Sequence, residues 1–231
     1  MDSKKRTGTS RAVYEKLKEQ ILHLELPPGS AISEIETAEK YQISRTPVRD
    51  AFKMLEGDGL LEIRPHIGTF VSLIDLNMIS DILYMREVLE QAVFRDLTSI
   101  YDKSHEFGIR LILQKQKELL DSALPPEELS RAFIISDNTF HNTLYELAGR
   151  KNVMGFWQSI NSQYERFRTF LNLGERKNLD RLYHGHEILW ECISHKDYGN
   201  LARCITHHIY DGFNSSTEVV SKHPEYFRPI E

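Results

Sequence analysis

Residues 44–55 read SRTPVRDAFKML, and this stretch decides the fold of the N-terminal part of the chain. Pro47 fits the first turn of a helix, where its missing N–H would have no partner. The stretch therefore predicts a helix from about Thr46 to about Gly57. At about 100° per residue, this helix has two different sides. The apolar side carries Val48, Ala51 and Leu55, and the basic side carries Arg45, Arg49 and Lys53.

Two further helices are predicted upstream of this stretch. Apolar residues follow helical spacing over residues 13–24, and Pro27 with the following proline and glycine stops that helix. Ser33, with a glutamate three residues later, has the capping-box pattern that begins a second helix. We expect Ile35 and Ala38 to face the core from this helix.

A hairpin is predicted downstream. Residues 60–71 read LLEIRPHIGTFV, in which two short apolar or β-branched runs flank a turn that contains Arg64, His66 and Gly68. Helix, helix, turn, helix and hairpin is the order of a winged helix-turn-helix. Residues 1–74 are therefore predicted to form a DNA-binding domain of this class, α-helical with a small β-hairpin wing.

The basic side of the third helix has the chemistry of a recognition helix. Such a helix presents N-terminal side chains to base edges in the major groove, and the planar fork of arginine bonds guanine O6 and N7 together. A threonine hydroxyl and free N–H groups in the first turn hold a phosphate, and a wing reaches phosphates or the minor groove. A solvated helix face and a polar turn are the alternatives. The candidate DNA-binding residues are Arg45, Thr46, Arg49, Lys53, Arg64, His66 and Gly68.

From about Asp75 onward, the hairpin and glycine signals give way to helical periodicity. Short connections between such segments favour antiparallel neighbours. Residues 75–231 are therefore predicted to form an all-α antiparallel helical bundle, which makes the whole chain mainly α. The helical segments cover about 76–100, 104–122, 126–148, 152–173, 179–195 and 198–220.

Composition narrows the class of protein. The 231 residues carry a formal net charge of −5, and 40% are hydrophobic and 27% charged, as in an ordinary globular protein. Residues 1–74 contain 11 basic and 11 acidic side chains, so the acidic excess lies downstream. No run approaches the ~18 apolar residues of a membrane span, and the polar N-terminus lacks a signal-peptide pattern. We therefore expect a cytoplasmic protein without a membrane partner, with free thiols at Cys192 and Cys204.

Four residues of the second half form a candidate metal site. Asp137 and His141 lie one turn apart on the same face of a predicted helix. His186 and His208 are equidistant from the turn predicted near residue 197, so they lie at the same height in an antiparallel helix pair. One carboxylate and three imidazoles suit zinc, nickel, manganese or iron. A surface pair and isolated core histidines are the alternatives, and the neighbouring candidates are His184 and His207.

Residues 44–51 resemble the "SRTPVRE/DAL" signature of the GntR family of bacterial repressors. Two flanking segments fit the same pattern in order and spacing. They are residues 32–34 (ISE) and residues 59–71, which contain Gly59-Leu60, Pro65 and Gly68-Thr69-Phe70-Val71. The resemblance implies that the two arginines contact operator bases, that the threonine contacts phosphate and that the wing contributes near its glycine. Thr37 and Phe52 stand where the family usually has leucine, which we interpret as core adjustments.

Residues 137–141, 186–189 and 208–209 resemble the FCD ligand-binding domain of the fatty-acid-responsive branch of that family. Its members commonly bind a divalent metal with one aspartate and three histidines at these relative positions, which favours His186 and His208 over their neighbours. Members without the metal, including acyl-CoA binders, also exist. This sequence retains all four candidate ligands, so the resemblance implies the metal-bearing type.

The same resemblance implies an effector site. Arg86, in the run YMREVLE, matches the "R…LE" motif of the family's first bundle helix. By resemblance, Arg86 faces the metal cavity and pairs with the carboxylate of an effector through a charge-assisted bond. An exposed intrahelical pair with Glu90 is the alternative. Metal positions that the protein leaves open accept a carboxylate oxygen or water, which makes a small organic acid the expected effector.

Together these residues predict a ligand-responsive transcription regulator, which family precedent makes a repressor, and not an enzyme. We expect a homodimer on double-stranded operator DNA, because two-fold protein symmetry matches a roughly palindromic operator. A metalloenzyme with a DNA-binding appendage is the main alternative, because an Asp/His₃ site with open positions acts as a Lewis acid. A bundle that only dimerises, with a structural metal or none, is a third interpretation.

Overall fold

The computed structural model describes residues 2–172 and 176–229. Residues 1, 173–175, 230 and 231 lie outside the described residues. They include the outer ends of the two predicted domains and the end of the fourth predicted bundle helix. The chain divides into two compact units. The first contains residues 1–78, 160–170 and 220–231, and the second contains residues 79–159 and 171–219. Within the described ranges, no helix is long and apolar enough to cross a membrane.

The first unit contains the elements of a winged helix-turn-helix. They are α1 (Asp2–Leu22), β1 (Ala31–Ile32), α2 (Glu34–Lys40), α3 (Arg45–Gly57), β2 (Leu61–Arg64) and β3 (Gly68–Val71). The strands form an antiparallel sheet in the order β1-β3-β2. The pairs Leu61–Val71 and Arg64–Gly68 set the register of the wing. The predicted winged fold is therefore confirmed.

The apolar side of α3 fixes the orientation of this helix. Val48, Ala51 and Leu55 are fully buried, as the helical spacing predicts, and Phe52 fills the same core. Burying an aliphatic side chain of the size of leucine contributes about 1.5–3 kcal/mol. Because this side is held in the core, the opposite side of α3 is held toward solvent.

Two local expectations in this unit are wrong, and one element was not predicted. The first helix ends at Leu22 rather than near Leu24, whose φ of 61° lies in the left-handed region. Ile35 is 50% exposed, and Thr37 is buried in its place, because the face of α2 that meets α3 includes positions 37 and 38. Strand β1 was not predicted, because two residues are too few to show an alternating pattern.

A polar helix from the second half of the chain contributes to the first unit. Residues 162–170 of α8 (Ser162–Asn172) lie there, and Arg166 is fully buried. The Arg166 guanidinium donates to the Ser72 carbonyl oxygen at 2.7 Å, and Gln163 Nε2 donates to the Gly59 carbonyl oxygen at 2.5 Å. Burial lowers the pKa of Arg166 to about 9. These hydrogen bonds join α8 to the backbone on both sides of the wing.

All regular secondary structure in the described residues of the second unit is helical, which confirms the predicted helical fold. Two details differ. Residues 151–172 form two helices that separate at Asn161, and the last long helix ends at Asn214, where Asn and Ser residues compete for backbone hydrogen bonds. The remaining helices are α4 (Leu76–Ile100), α5 (Glu106–Asp121), α6 (Pro126–Leu147), α7 (Lys151–Ile160), α9 (Arg176–Ser194), α10 (Tyr198–Asn214) and α11 (Thr217–Lys222), and 3₁₀ turns cover Lys103–His105 and Pro224–Tyr226.

Helices α9 and α10 form a hairpin around the turn at residues 195–197. Cys192 and Cys204 lie opposite each other across it, with their Sγ atoms 3.5 Å apart. Both thiols are free, as the composition predicts. The hairpin therefore brings residues equidistant from the turn to the same height, which is the relationship expected for the two histidines of these helices.

Candidate functional site

The exposed side of α3 carries the candidate recognition residues. Arg45, Thr46, Arg49 and Lys53 are all exposed. Ser44 precedes the helix in an extended conformation and makes no side-chain hydrogen bond to the first turn. The N–H groups of that turn therefore keep their capacity to hold an anion such as a phosphate.

Glu34, the first residue of α2, lies beside both arginines of the candidate recognition side. Its carboxylate is 3.5 Å from Arg45 NH2 and 3.3 Å from Arg49 Nε. The arginine side chains are more than half exposed, so each ion pair contributes less than about 1 kcal/mol. Sequence reasoning missed this contact, although a helix-turn-helix brings the start of α2 close to the first turns of α3.

The wing presents its three candidate residues to solvent. Arg64, His66 and Gly68 are exposed, and His66 and Gly68 both have positive φ, at 62° and 151°. Arg64 pairs with Glu62 at 2.9 Å, and its guanidinium lies 4.8 Å from the centre of the Phe70 ring. The pKa of Glu62 is lowered by this hydrogen bond from Arg64. The hairpin tip is thus an exposed loop that combines Arg64 and His66 with the apolar side chain of Ile67.

The second unit brings the four candidate metal ligands together in its interior. Helix α6 supplies Asp137 and His141, α9 supplies His186 and α10 supplies His208. All four are buried, with between 0% and 6% of each residue exposed. Burying four polar side chains costs free energy unless each finds a partner. Apolar packing therefore does not explain why these four meet in the interior.

The distances within this cluster fit a shared ion. One ligand nitrogen from each histidine lies within 4.8 Å of the other two. His141 Nε2 is 3.2 Å from His208 Nε2, and His186 Nε2 is 3.2 Å from Asp137 Oδ1. Two ligand atoms bound to one ion at about 2.1 Å each lie roughly 3.0–3.4 Å apart, so the two 3.2 Å contacts suit a common metal, whereas the 4.8 Å limit for the three histidines is wider than a shared ion allows.

The protonation states also suit a metal, because imidazole binds an ion in its neutral form. Burial lowers the pKa of His208 well below its usual range, and the neighbouring His186 and His141 act in the same direction. Burial likewise lowers the pKa of His186, although Asp137 opposes it. At neutral pH, His186 and His208 therefore offer a lone pair rather than a second proton.

A second layer of polar side chains surrounds the histidines, and sequence reasoning did not assign it. Glu90 Oε1 lies 3.3 Å from His141 Nδ1, and Gln116 Oε1 lies 2.8 Å from His186 Nδ1. Two buried atoms in this region, Glu90 Oε2 and Gln116 Nε2, have no hydrogen-bond partner among the described residues. Unpartnered polar atoms at a buried ligand cluster fit a site that holds a polar guest.

Arg86 lies at the same cluster. Its guanidinium donates to Glu90 Oε1 at 2.7 Å, and its NH2 atom is 2.9 Å from His141 Nε2. The pair with Glu90 is intrahelical, as the alternative interpretation held, but both side chains are buried rather than exposed. Burial alone would raise the pKa of Glu90, whereas the charge of Arg86 and the contact with His141 lower it to about 2.

Gly185 is a further residue of the cluster that the sequence pattern did not reveal. A methyl group built on its Cα would clash with Nδ1 of His208. The absence of a side chain at position 185 therefore allows α9 and α10 to approach closely where His208 faces His186. A glycine between two histidines in a helix interior is the sequence signal, because glycine there costs about 1 kcal/mol and needs a packing reason.

These features define a class: a regulator with a winged helix-turn-helix and a helical unit that encloses a histidine cluster. Residues 9–71 match the family described as bacterial regulatory proteins, gntR family. Residues 81–211 match the FCD domain. The chain therefore belongs to the GntR family of bacterial transcription regulators and carries an FCD domain.

Relatives and solved structures agree with this assignment. A Streptomyces ambofaciens protein named as an HTH-type transcriptional regulator in an unstable DNA locus is 29% identical over 94% of this chain and 89% of its own length. The Escherichia coli HTH-type transcriptional repressor RspR is 24% identical over 94% and 93%. E. coli McbR/YncC has the same fold, with a TM-score of 0.70 at 16% identity over 93% of this chain and 98% of its own. The chain is thus a transcription regulator and not an enzyme, and the metalloenzyme alternative is not supported.

Proposed function

We propose that this regulator is a repressor whose affinity for operator DNA changes when a small organic acid binds beside a metal ion in its FCD domain. The observation that carries the proposal is the buried convergence of Asp137, His141, His186 and His208. A divalent ion there (zinc, nickel, manganese or iron) would supply a Lewis-acidic centre for a carboxylate oxygen.

Within this site, Arg86 is the candidate partner for the remaining charge of the effector. Its guanidinium is buried and already lies within hydrogen-bonding distance of the cluster. A buried arginine forms strong two-pronged hydrogen bonds with a carboxylate. Glu90 already binds this guanidinium, so the carboxylate of the effector would compete with the Glu90 carboxylate for Arg86. An anion that also contacts the metal would compete better than one that contacts Arg86 alone.

Operator reading is assigned to the exposed side of α3 and to the wing. Arg45 and Arg49 would contact base edges, Thr46 and Lys53 phosphates, and the tip of the hairpin the neighbouring backbone. A homodimer would present two such helices to a roughly palindromic operator in the cytoplasm. The exposed apolar side chains Tyr84, Met85 and Val88 on α4 support self-association through the FCD domain.

The proposal is tested on the full chain with a DNA duplex enriched from a random pool by binding to the protein. Anisotropy titrations are run with zinc-loaded and chelator-stripped protein, each with and without a panel of small mono-, di- and tricarboxylic acids. A coupling of about 1–3 kcal/mol changes operator affinity about 5- to 150-fold. The effector part fails if no acid changes the affinity of the loaded protein, and the DNA part fails if no sequence is enriched.

A further inference from the structure

Helix α5 contributes one polar side chain to an otherwise apolar buried stripe. Ile109, Leu113 and Leu120 face the core at helical spacing, and Gln116 occupies the position between them with none of its surface exposed. A leucine of similar volume would continue the stripe without burying an amide. The glutamine therefore needs a reason other than packing.

Its partner is His186. Gln116 Oε1 lies 2.8 Å from His186 Nδ1, and both side chains are fully buried. A neutral imidazole has a single N–H, so a ring that donates through Nδ1 leaves a lone pair on Nε2. His186 Nε2 is the atom that faces the cluster, because it lies 3.2 Å from Asp137 Oδ1.

We infer that Gln116 is a positioning residue that holds His186 with its Nε2 lone pair directed to the metal ion, an inference that rests on the proposed metal site. Phe140 stacks on the same ring, with centroids 4.3 Å apart, so the ring is fixed in its plane by Phe140 and in its rotation by Gln116. Partners of this kind orient metal-binding histidines, and their loss typically weakens metal binding 10- to 100-fold.

The first test compares Gln116→Leu, which removes the acceptor, with Gln116→Glu, which keeps an acceptor at the same position. Gln114→Leu is the matched control, because Gln114 lies on the same helix but is exposed. Zinc is titrated calorimetrically into chelator-stripped full chain. We expect about 10- to 100-fold weaker zinc binding for Gln116→Leu and wild-type affinity or tighter for Gln116→Glu and Gln114→Leu. Melting curves in chelator report whether each variant is folded.

The second test reads the tautomer directly in the wild-type protein, so it does not depend on any variant folding. Long-range ¹H–¹⁵N spectra of histidine-labelled, zinc-loaded protein are expected to show His186 protonated at Nδ1, because zinc then occupies the Nε2 lone pair. Protonation at Nε2, or zinc binding by Gln116→Leu as tight as wild type, overturns the inference and leaves the metal site standing. Wild-type protein that binds no zinc instead refutes the proposed function, and the inference about Gln116, which rests on it, fails with it.

Discussion

Substituting Gly185 by alanine places a single methyl group against His208 and should disrupt the metal site. The added Cβ would overlap Nδ1 of the His208 ring, which belongs to the facing helix α10. Relieving the overlap requires the ring or the helix to move by roughly 1 Å, whereas metal–ligand distances tolerate only about 0.2 Å. The ring cannot keep its contact with His141, 3.2 Å away, after such a shift.

The magnitude follows from two opposing effects. Displacing one of four ligands should weaken zinc binding at least as much as losing a supporting contact, about 10- to 100-fold, or roughly 1.4–2.8 kcal/mol. In the metal-free protein, replacing glycine in a helix interior gains about 0.8–1 kcal/mol, and overpacking costs about 1–3 kcal/mol. The free energy of unfolding without metal should therefore change by no more than about 2 kcal/mol.

The assay is calorimetric titration of zinc into stripped full-length protein, together with denaturant unfolding in chelator. Gly155→Ala is the control, because Gly155 also lies in a helix but an added Cβ there meets nothing within 4 Å. We expect the control to bind zinc as wild type does. Zinc binding by Gly185→Ala that equals the control would refute the claim that His208 is held against α9 to bind metal.

Three further predictions address the other parts of the molecule. Arg45→Ala and Arg49→Ala should each lose about 1–3 kcal/mol of discrimination between operator and scrambled DNA in anisotropy titrations, and equal losses on both DNAs would reduce them to phosphate contacts. Glu90→Ala leaves the Arg86 charge buried without its carboxylate and should destabilise the protein by about 3–5 kcal/mol in denaturant unfolding. Glu106→Ala breaks an exposed arginine pair and should cost under 1 kcal/mol, so similar losses for both would contradict the argument. The full chain should sediment as a dimer at micromolar concentration, and a monomer both free and on operator DNA would contradict the proposed symmetry.

The sequence predicted the winged fold well, because its signals are local. The spacing of Val48, Ala51 and Leu55 assigns the buried side of α3 without any knowledge of its neighbours. The meeting of His186 and His208 was also predictable, because the turn of a helical hairpin fixes which residues lie at the same height; their ring centroids are 4.8 Å apart. The polar composition of α8 hid its burial and the helix break at Asn161, because periodicity is read from apolar residues.

The residues around the candidate metal cluster could not be assigned from spacing alone. Gln116 and Gly185 act across helices, so their roles depend on which helix faces which, a property set by packing of the whole unit. The sequence nevertheless carries a signal for each. An amide interrupts the apolar stripe of α5, and a glycine stands in the interior of α9 between two histidines. Both break a local rule, and both contact a candidate ligand.

The metal content of purified protein tests the central claim most directly. Wild-type protein and four variants, His186→Ala, His208→Ala, His184→Ala and His207→Ala, are grown with added metal and measured by elemental analysis. His184 and His207 are exposed neighbours of the two buried candidates, so they are matched controls. We expect bound divalent metal in the wild type and both controls, and a sharp loss in His186→Ala and His208→Ala. Metal-free wild-type protein, or equal loss in controls and ligand variants, would contradict it.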